Sequence, residues 1–225
     1  ERLAEKVVKR GAHVGFAFDG DGDRLIAVDE QGGVLTGDQI MVICAKMMKE
    51  EGTLTNNLIV ETVMSNIGFG LALKKLGIEK ATAPVGDRYV LEMMKEKGAS
   101  IGGEDSGHIT FRNHHTTGDG LLSALQLLVA MKRENKPLSE LARLMKVFPQ
   151  KLINIDVSSK PDIATIPEIV RVIEEVEKKL GDKGRVLVRY SGTQNMCRVM
   201  VEGPTNEKTE AHCHQIVDVV KEKLA

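Results

Sequence analysis

Tryptophan is absent from this 225-residue chain, and the aromatic complement stops at five phenylalanines and two tyrosines. So small a set offers little for stacking on nucleobases and argues against a sugar platform made of rings, so any sugar would be held by hydrogen bonds. Neither charge is in excess. The 31 Lys and Arg residues against 32 Asp and Glu give a formal net charge of −1, which excludes a strongly cationic nucleic-acid binder. No apolar run approaches the ~20 residues that span a bilayer, and no signal peptide opens the chain. Cys44, Cys197 and Cys213 are few, far apart and without a CxxC pair, which fits buried thiols in a reducing cytoplasm. An initiating methionine is also missing: Glu1-Arg2-Leu3-Ala4 reads as the inside of a helix, so the chain is expected to be a piece of something longer.

What is present is 42% hydrophobic residues, enough for one large domain or two small ones. Apolar spacing predicts a helix over 3–10 and short strands over 14–18 and 25–28 on either side of an Asp/Gly loop. From Gly37 onward helices and strands alternate: helices over 38–50, 65–76 and 86–97, strands over 58–63, 81–83 and 100–103. A nearly all-apolar helix over 119–134, with Asp119 as its N-cap, is expected to be buried. Strands separated by helices of this length imply βαβ units and a largely parallel sheet. After a short helix over 139–145, Phe148-Pro149 reads as a boundary. Beyond it, strands over 151–157, 185–189 and 197–201 and helices over 165–180 and 206–224 form a βαββα set, a small α+β domain.

Three loops carry candidate chemistry. In Asp19-Gly20-Asp21-Gly22-Asp23-Arg24, carboxylates at every second position project to one side of an extended segment and can converge on one hard cation. Glu30 falls where an EF-hand loop would end, but the sixth position is Arg24 rather than Gly and apolar strands flank the loop, so an EF-hand is rejected. A polar hairpin is the remaining alternative. In Gly102-Gly103-Glu104-Asp105-Ser106-Gly107-His108, Glu104 and Ser106 alternate onto one side and can grip vicinal hydroxyls, while His108 can contact a phosphate or move a proton. Taken alone the stretch describes a solvated Gly-rich strand end equally well. In Arg189-Tyr190-Ser191-Gly192-Thr193, an Arg fork, hydroxyls and turn N–H groups form an anion cradle, with an ordinary hairpin as the alternative. His212-Cys213-His214 is helical, its neighbours diverge, and Cys213 belongs to the apolar face.

Taken in order, these loops resemble those of the α-D-phosphohexomutases, with DGDGDR as metal loop, GGEDSGH as sugar loop and RYSGT as phosphate loop. The stretches Thr62-Val63-Met64-Ser65-Asn66, Val85-Gly86-Asp87-Arg88-Tyr89-Val90 and Thr116-Thr117-Gly118-Asp119-Gly120-Leu121-Leu122 are similar to the branch of that family acting on glucosamine phosphates. The resemblance implies a Mg2+-dependent interconversion of glucosamine 6-phosphate and glucosamine 1-phosphate, by way of an enzyme phosphoserine and a bisphosphorylated sugar, feeding cell-wall amino-sugar synthesis. It implies Asp19, Asp21 and Asp23 as Mg2+ ligands and Arg24 beside the transferring phosphoryl group. It places Glu104 and Ser106 on sugar hydroxyls, His108 near them as a catalytic proton-transfer or phosphate-contacting group, and Asp87 and Arg88 along the same cleft. Arg189, Ser191, Gly192 and Thr193 would hold the phosphate that is not reacting.

The fold it implies is α/β, a mixed βαβ domain followed by a small α+β (βαββα) domain. Residues 1–33 would be the end of a truncated α/β domain carrying the metal loop, 34–147 the domain of the sugar loop, and 148–225 that of the phosphate loop. The family's Ser-His-Asn-Pro nucleophile loop occurs nowhere in the sequence, and Gln194-Asn195 stand where the family often has Glu-Pro. The partners expected are therefore a phosphorylated hexosamine and the missing N-terminal domains, with no nucleic acid and no membrane, and the oligomeric state is open, a homodimer included. The competing readings are a phosphoglucomutase or phosphomannomutase, and a non-catalytic phosphosugar- or metal-binding module. Phe16, Phe18 and their strand neighbours are expected to be under-buried, awaiting cover by a partner.

Overall fold

The computed structural model describes residues 2–225. The chain separates into two compact units, Glu1–Lys146 and Val147–Ala225. Among the described residues no helix is long and apolar enough to cross a membrane.

In the first unit, helix α1 (Arg2–Arg10) packs over a three-stranded antiparallel sheet of β1 (Val14–Phe18), β2 (Leu25–Asp29) and β3 (Val34–Leu35). Helix α2 (Gly37–Glu50) follows, started by a capping box in which Thr36 accepts from Gln39 N and Gln39 reaches back to Thr36 N. A second sheet combines β4 (Leu58–Thr62), β5 (Glu79–Ala83), β6 (Ile101–Gly103) and β7 (Ile109–Phe111) in the order β5-β4-β6-β7. Its first three strands are parallel and β7 is antiparallel to β6. Helices α3 (Ile67–Leu76) and α4 (Asp87–Lys97) make the crossovers, and α5 (Gly120–Glu134) and α6 (Leu138–Ala142) complete the unit. Strands β3 and β7 are too short to show a period, so the expected run of strands lacks them.

Two helices rich in apolar residues compete for the centre, and the topology chooses α2. It lies against β2, β6, α3, α5 and α6, and Ile40, Met41, Val42, Ile43, Cys44 and Ala45 are buried around its whole girth. Burial pushes the Cys44 thiol up to about 12, which leaves it inert. The expectation of a buried α5 is corrected. Its Ala124, Leu127 and Ala130 enter the core, but Leu121, Leu125 and Val129, spaced four apart, are 61%, 52% and 41% exposed. The helix sits in an outer layer with only one side against the core, however apolar the other side is. Phe18 and Ile26 are exposed and Phe16 half-buried.

The second unit is an antiparallel sheet in the order β8 (Gln150–Asp156), β10 (Met196–Glu202), β9 (Arg185–Tyr190), covered on one face by α7 (Pro167–Leu180) and α8 (Asn206–Leu224). Ile155, Cys197, Val199 and Val201 point at those helices, meeting Ile169, Val176, Cys213, Ile216 and Val220. Cys213 is core, its thiol pushed up to about 11 by burial.

Leu127 and Leu125 lie two residues apart on α5 with opposite exposure. Leu127→Ala should destabilise the first unit by about 2–5 kcal/mol and Leu125→Ala by about 0.5 kcal/mol or less, read from urea unfolding. Equal losses would contradict the outer-layer placement.

Candidate active site

Phe18 pairs with Leu25, so residues 19–24 are the hairpin loop between β1 and β2. Asp19, Asp21 and Asp23 each place a carboxylate oxygen within 4.8 Å of the others. Asp19 is slightly desolvated, but the backbone N–H of Arg24 at 3.2 Å and the Arg24 guanidinium at 3.7 Å hold its carboxyl below the usual range. Asp23 turns inward. Its Oδ2 meets His108 Nδ1 at 3.1 Å, and its Oδ1 is buried without a hydrogen-bond partner. Three clustered carboxylates, one of them with an orphaned buried oxygen, are an all-oxygen donor set that suits a hard divalent cation, so the residues fit the Mg2+ implied by the resemblance.

Gly103 pairs with Ile109, making 104–108 a second hairpin loop, between β6 and β7. The two loops are stitched together: Arg24 bridges His108, and Leu25 N donates to Gly107 O at 3.1 Å. This approach admits no side chain, because at Gly107, with φ +92°, a Cβ would stand 2.2 Å from Leu25 O. The start of α5 joins the same assembly. Gly120 N donates to Gly22 O at 2.9 Å, and Gly118 N donates to His108 Nε2 at 3.2 Å. His108 is thus buried with both ring nitrogens engaged.

Glu104 reaches sideways. Its Oε1 accepts from Gly86 N at 2.9 Å and its Oε2 from Ser106 Oγ at 3.3 Å, tying the sugar loop to the segment that begins α4. Asp87 and Arg88 open that helix on the surface. Arg88 Nε donates to Glu92 at 2.8 Å, and that bond and charge raise the guanidinium pKa. Under the sugar loop lies Asp38, fully buried at the start of α2. Gly37 N donates to Asp105 O, Asp38 N lies 3.4 Å from Asp105 Oδ1, and Asp38 Oδ2 accepts from Asn66 N at 2.6 Å. Burial first, and then the charge of Asp105, push the Asp38 carboxyl well above the usual range.

In the second unit residues 191–195 link β9 to β10. Ser191 is buried, its N donating to Met196 O and its Oγ accepting from Gln194 N, while Gly192 and Thr193 are exposed. Lys160 Nζ donates to Ser191 O at 2.9 Å. Arg189 lies directly opposite Arg198, on the sheet face away from the helices. Burial and the Arg198 charge lower the Arg189 guanidinium pKa, and Arg198 Nε is buried without a hydrogen-bond partner. Like charges directly across a ladder are destabilising, so an anion between them would relieve the repulsion.

The family model for phosphoglucomutase/phosphomannomutase, alpha/beta/alpha domain III, matches residues 36–148, and that for the C-terminal domain of the same family matches 152–219. The chain belongs to the phosphoglucomutase/phosphomannomutase family. Across the whole chain it is 67% identical to a phosphoglucosamine mutase of Syntrophus aciditrophicus and 55% identical to one of Listeria monocytogenes, covering 50% of each. The chain spans about half the length of the curated relatives it matches. Among solved structures, Aspergillus fumigatus N-acetylphosphoglucosamine mutase superposes with a TM-score of 0.78 at 17% identity, over 92% of this chain and 48% of that one. A second structure of the same fungal mutase, in complex with GlcNAc-6P and magnesium, gives 0.76 at 17% identity, over 92% and 52%. At that identity the likeness is one of phosphohexomutase fold.

The motif residues of this phosphohexomutase chain were legible in sequence. Asp38, Lys160 and Arg198 were not. Arg198 has a signal in principle, since a strand pairing of 185–189 with 197–201 would set it beside Arg189. Asp38 has none, because its burial depends on β6, α3 and α2 meeting.

A carboxyl with a raised native pKa binds more protons folded than unfolded, so it erodes stability as pH rises from the ordinary carboxylate value toward the native one. Asp38→Asn keeps an acceptor for Asn66 N without the charge. The stability of the variant relative to wild type should therefore rise in urea unfolding as pH climbs above the ordinary carboxylate value of about 4. A pH-independent difference would refute the buried charge.

Proposed function

We propose that this chain carries the metal, sugar and phosphate loops of a cytoplasmic phosphoglucosamine mutase, interconverting glucosamine 6-phosphate and glucosamine 1-phosphate. The observation that carries the reading is the union of two loops about 85 residues apart: the Asp19-Asp21-Asp23 cluster is hydrogen-bonded through Asp23, Arg24 and Leu25 to the sugar loop. That union brings a cation site and hydroxyl-gripping groups to one place. The 67% identity to a phosphoglucosamine mutase supports the amino-sugar substrate over glucose or mannose phosphates.

In this reading Asp19, Asp21 and Asp23 hold Mg2+, which when bound neutralises charge on the phosphoryl group in flight. Arg24, exposed beside Asp19, faces the same charge. Glu104 and Ser106 orient the sugar through its hydroxyls, and Asp87 and Arg88 border it. Arg189, Ser191, Gly192 and Thr193, with Arg198 added by the fold, anchor the phosphate that does not react. Positioning and charge compensation supply most of the rate in such transfers. The phosphoryl donor, a serine phosphate whose P–O bond breaks as the sugar oxygen takes the group, belongs to a Ser-His-Asn-Pro loop that these 225 residues do not contain.

The purified chain should give no turnover of glucosamine 6-phosphate in a coupled assay, and measurable turnover would overturn the assignment of the nucleophile to another segment. Calorimetry should show weak, roughly millimolar Mg2+ binding, lost in Asp21→Ala, because three carboxylates leave an octahedral ion short of ligands. Tight binding would contradict the weakness, and binding unchanged by the substitution would move the cation elsewhere.

A further inference from the structure

We propose that His108 is a positioning residue, a strut locked in one tautomer that aims Asp23 into the metal loop. This rests on the metal reading above. The ring is buried and held at both ends: Gly118 N–H points at Nε2, 3.2 Å away, and Asp23 Oδ2 lies 3.1 Å from Nδ1. A backbone N–H can only donate, so Nε2 must be the unprotonated nitrogen and Nδ1 must carry the hydrogen. That hydrogen goes to Asp23 Oδ2. With Oδ2 pinned, the rotation of the Asp23 carboxylate is set: Oδ1 is left buried and unpartnered, and the carboxylate group lies in the cluster with Asp19 and Asp21. A donor to one carboxylate oxygen that orients the other toward a cation is the usual second layer of a metal centre.

The surroundings preserve this arrangement. The His108 backbone is bridged to Arg24, one residue beyond the carboxylate its side chain holds, so ring and target are fixed to the same piece of strand. Gly118 closes the far side with no room for more: a Cβ there would fall 2.4 Å from Nε2 and 2.5 Å from Cε1. Residue 118 must therefore be glycine for the ring to keep its place. The strut also makes the metal loop depend on the sugar loop and on the start of α5, so that displacing either disturbs Asp23.

Asn and Gln separate the two ends of the ring, since an Asn amide sits where Nδ1 does and a Gln amide nearer Nε2. The metal-free chain should show, in long-range nitrogen–proton spectra, a His108 ring with a protonated Nδ1 and a bare Nε2. Mn2+ alone should broaden the amide signals of residues 19–24. His108→Ala and His108→Gln should each weaken that binding by roughly 10-fold or more, and His108→Asn should retain most of it. Loss of fold alone would affect Asn and Gln alike, so affinity that tracks reach to Asp23 identifies the strut. A protonated Nε2, or Mn2+ affinity untouched by His108→Ala, would overturn the proposal. A wild-type chain with the Nδ1–H ring but no Mn2+ binding would support the strut and remove the metal reading.

Discussion

The pairing of residues 24–25 with 107–108 is the constraint on which the first unit's chemistry depends. Leu25 N donating to Gly107 O, and the Arg24–His108 bridge beside it, weld two hairpin loops that belong to different sheets. Neither loop is rigid in isolation, since both are short, polar and rich in glycine. Joined, they share a backbone, and the side chains they present no longer move independently. Gly107 is required because the Leu25 carbonyl lies where its side chain would be. Gly120 N on Gly22 O brings the buried side of α5 into the same body, so one outer helix packs on the core and also ties down the loops.

Charge is distributed in the same local fashion. A net charge of −1 conceals local clusters of like charge: three carboxylates within 4.8 Å, two arginines face to face across β9 and β10, and the buried Asp38 beside Asp105. The first two lie on a loop and on paired strands, where a cation or an anion of opposite charge would reduce the repulsion. Asp38 is enclosed, and its role is mechanical. Its carboxylate holds Asn66 N while its own N–H lies near Asp105, joining the turn before α3 to the floor of the sugar loop. The sugar loop thereby rests on α2, the most buried helix of the unit.

The apolar helices separate what composition shows from what topology shows. Both α2 and α5 read as helices from spacing, and both are rich in apolar residues. Yet α2 is enclosed on all sides, whereas α5 exposes Leu121, Leu125 and Val129. Hydrophobicity states what a helix can bury, and the number of elements that pack around it decides how much it does bury. The half-exposed hairpin residues Phe18 and Ile26 follow the same rule at the rim of the three-stranded sheet.

By itself the sequence determined the type of every element long enough to show a period, and the inventory of the three loops. Each is written in windows of a few residues, where periodicity and turn chemistry act locally. The tertiary structure alone decided that His108 faces Asp23 rather than solvent, that Asp38 is enclosed, that Arg198 stands opposite Arg189, and that α2 rather than α5 is central. Those facts join residues that are 9 to 85 positions apart. Contacts at such separation are set by strand register and layer order, and a list of side chains carries neither.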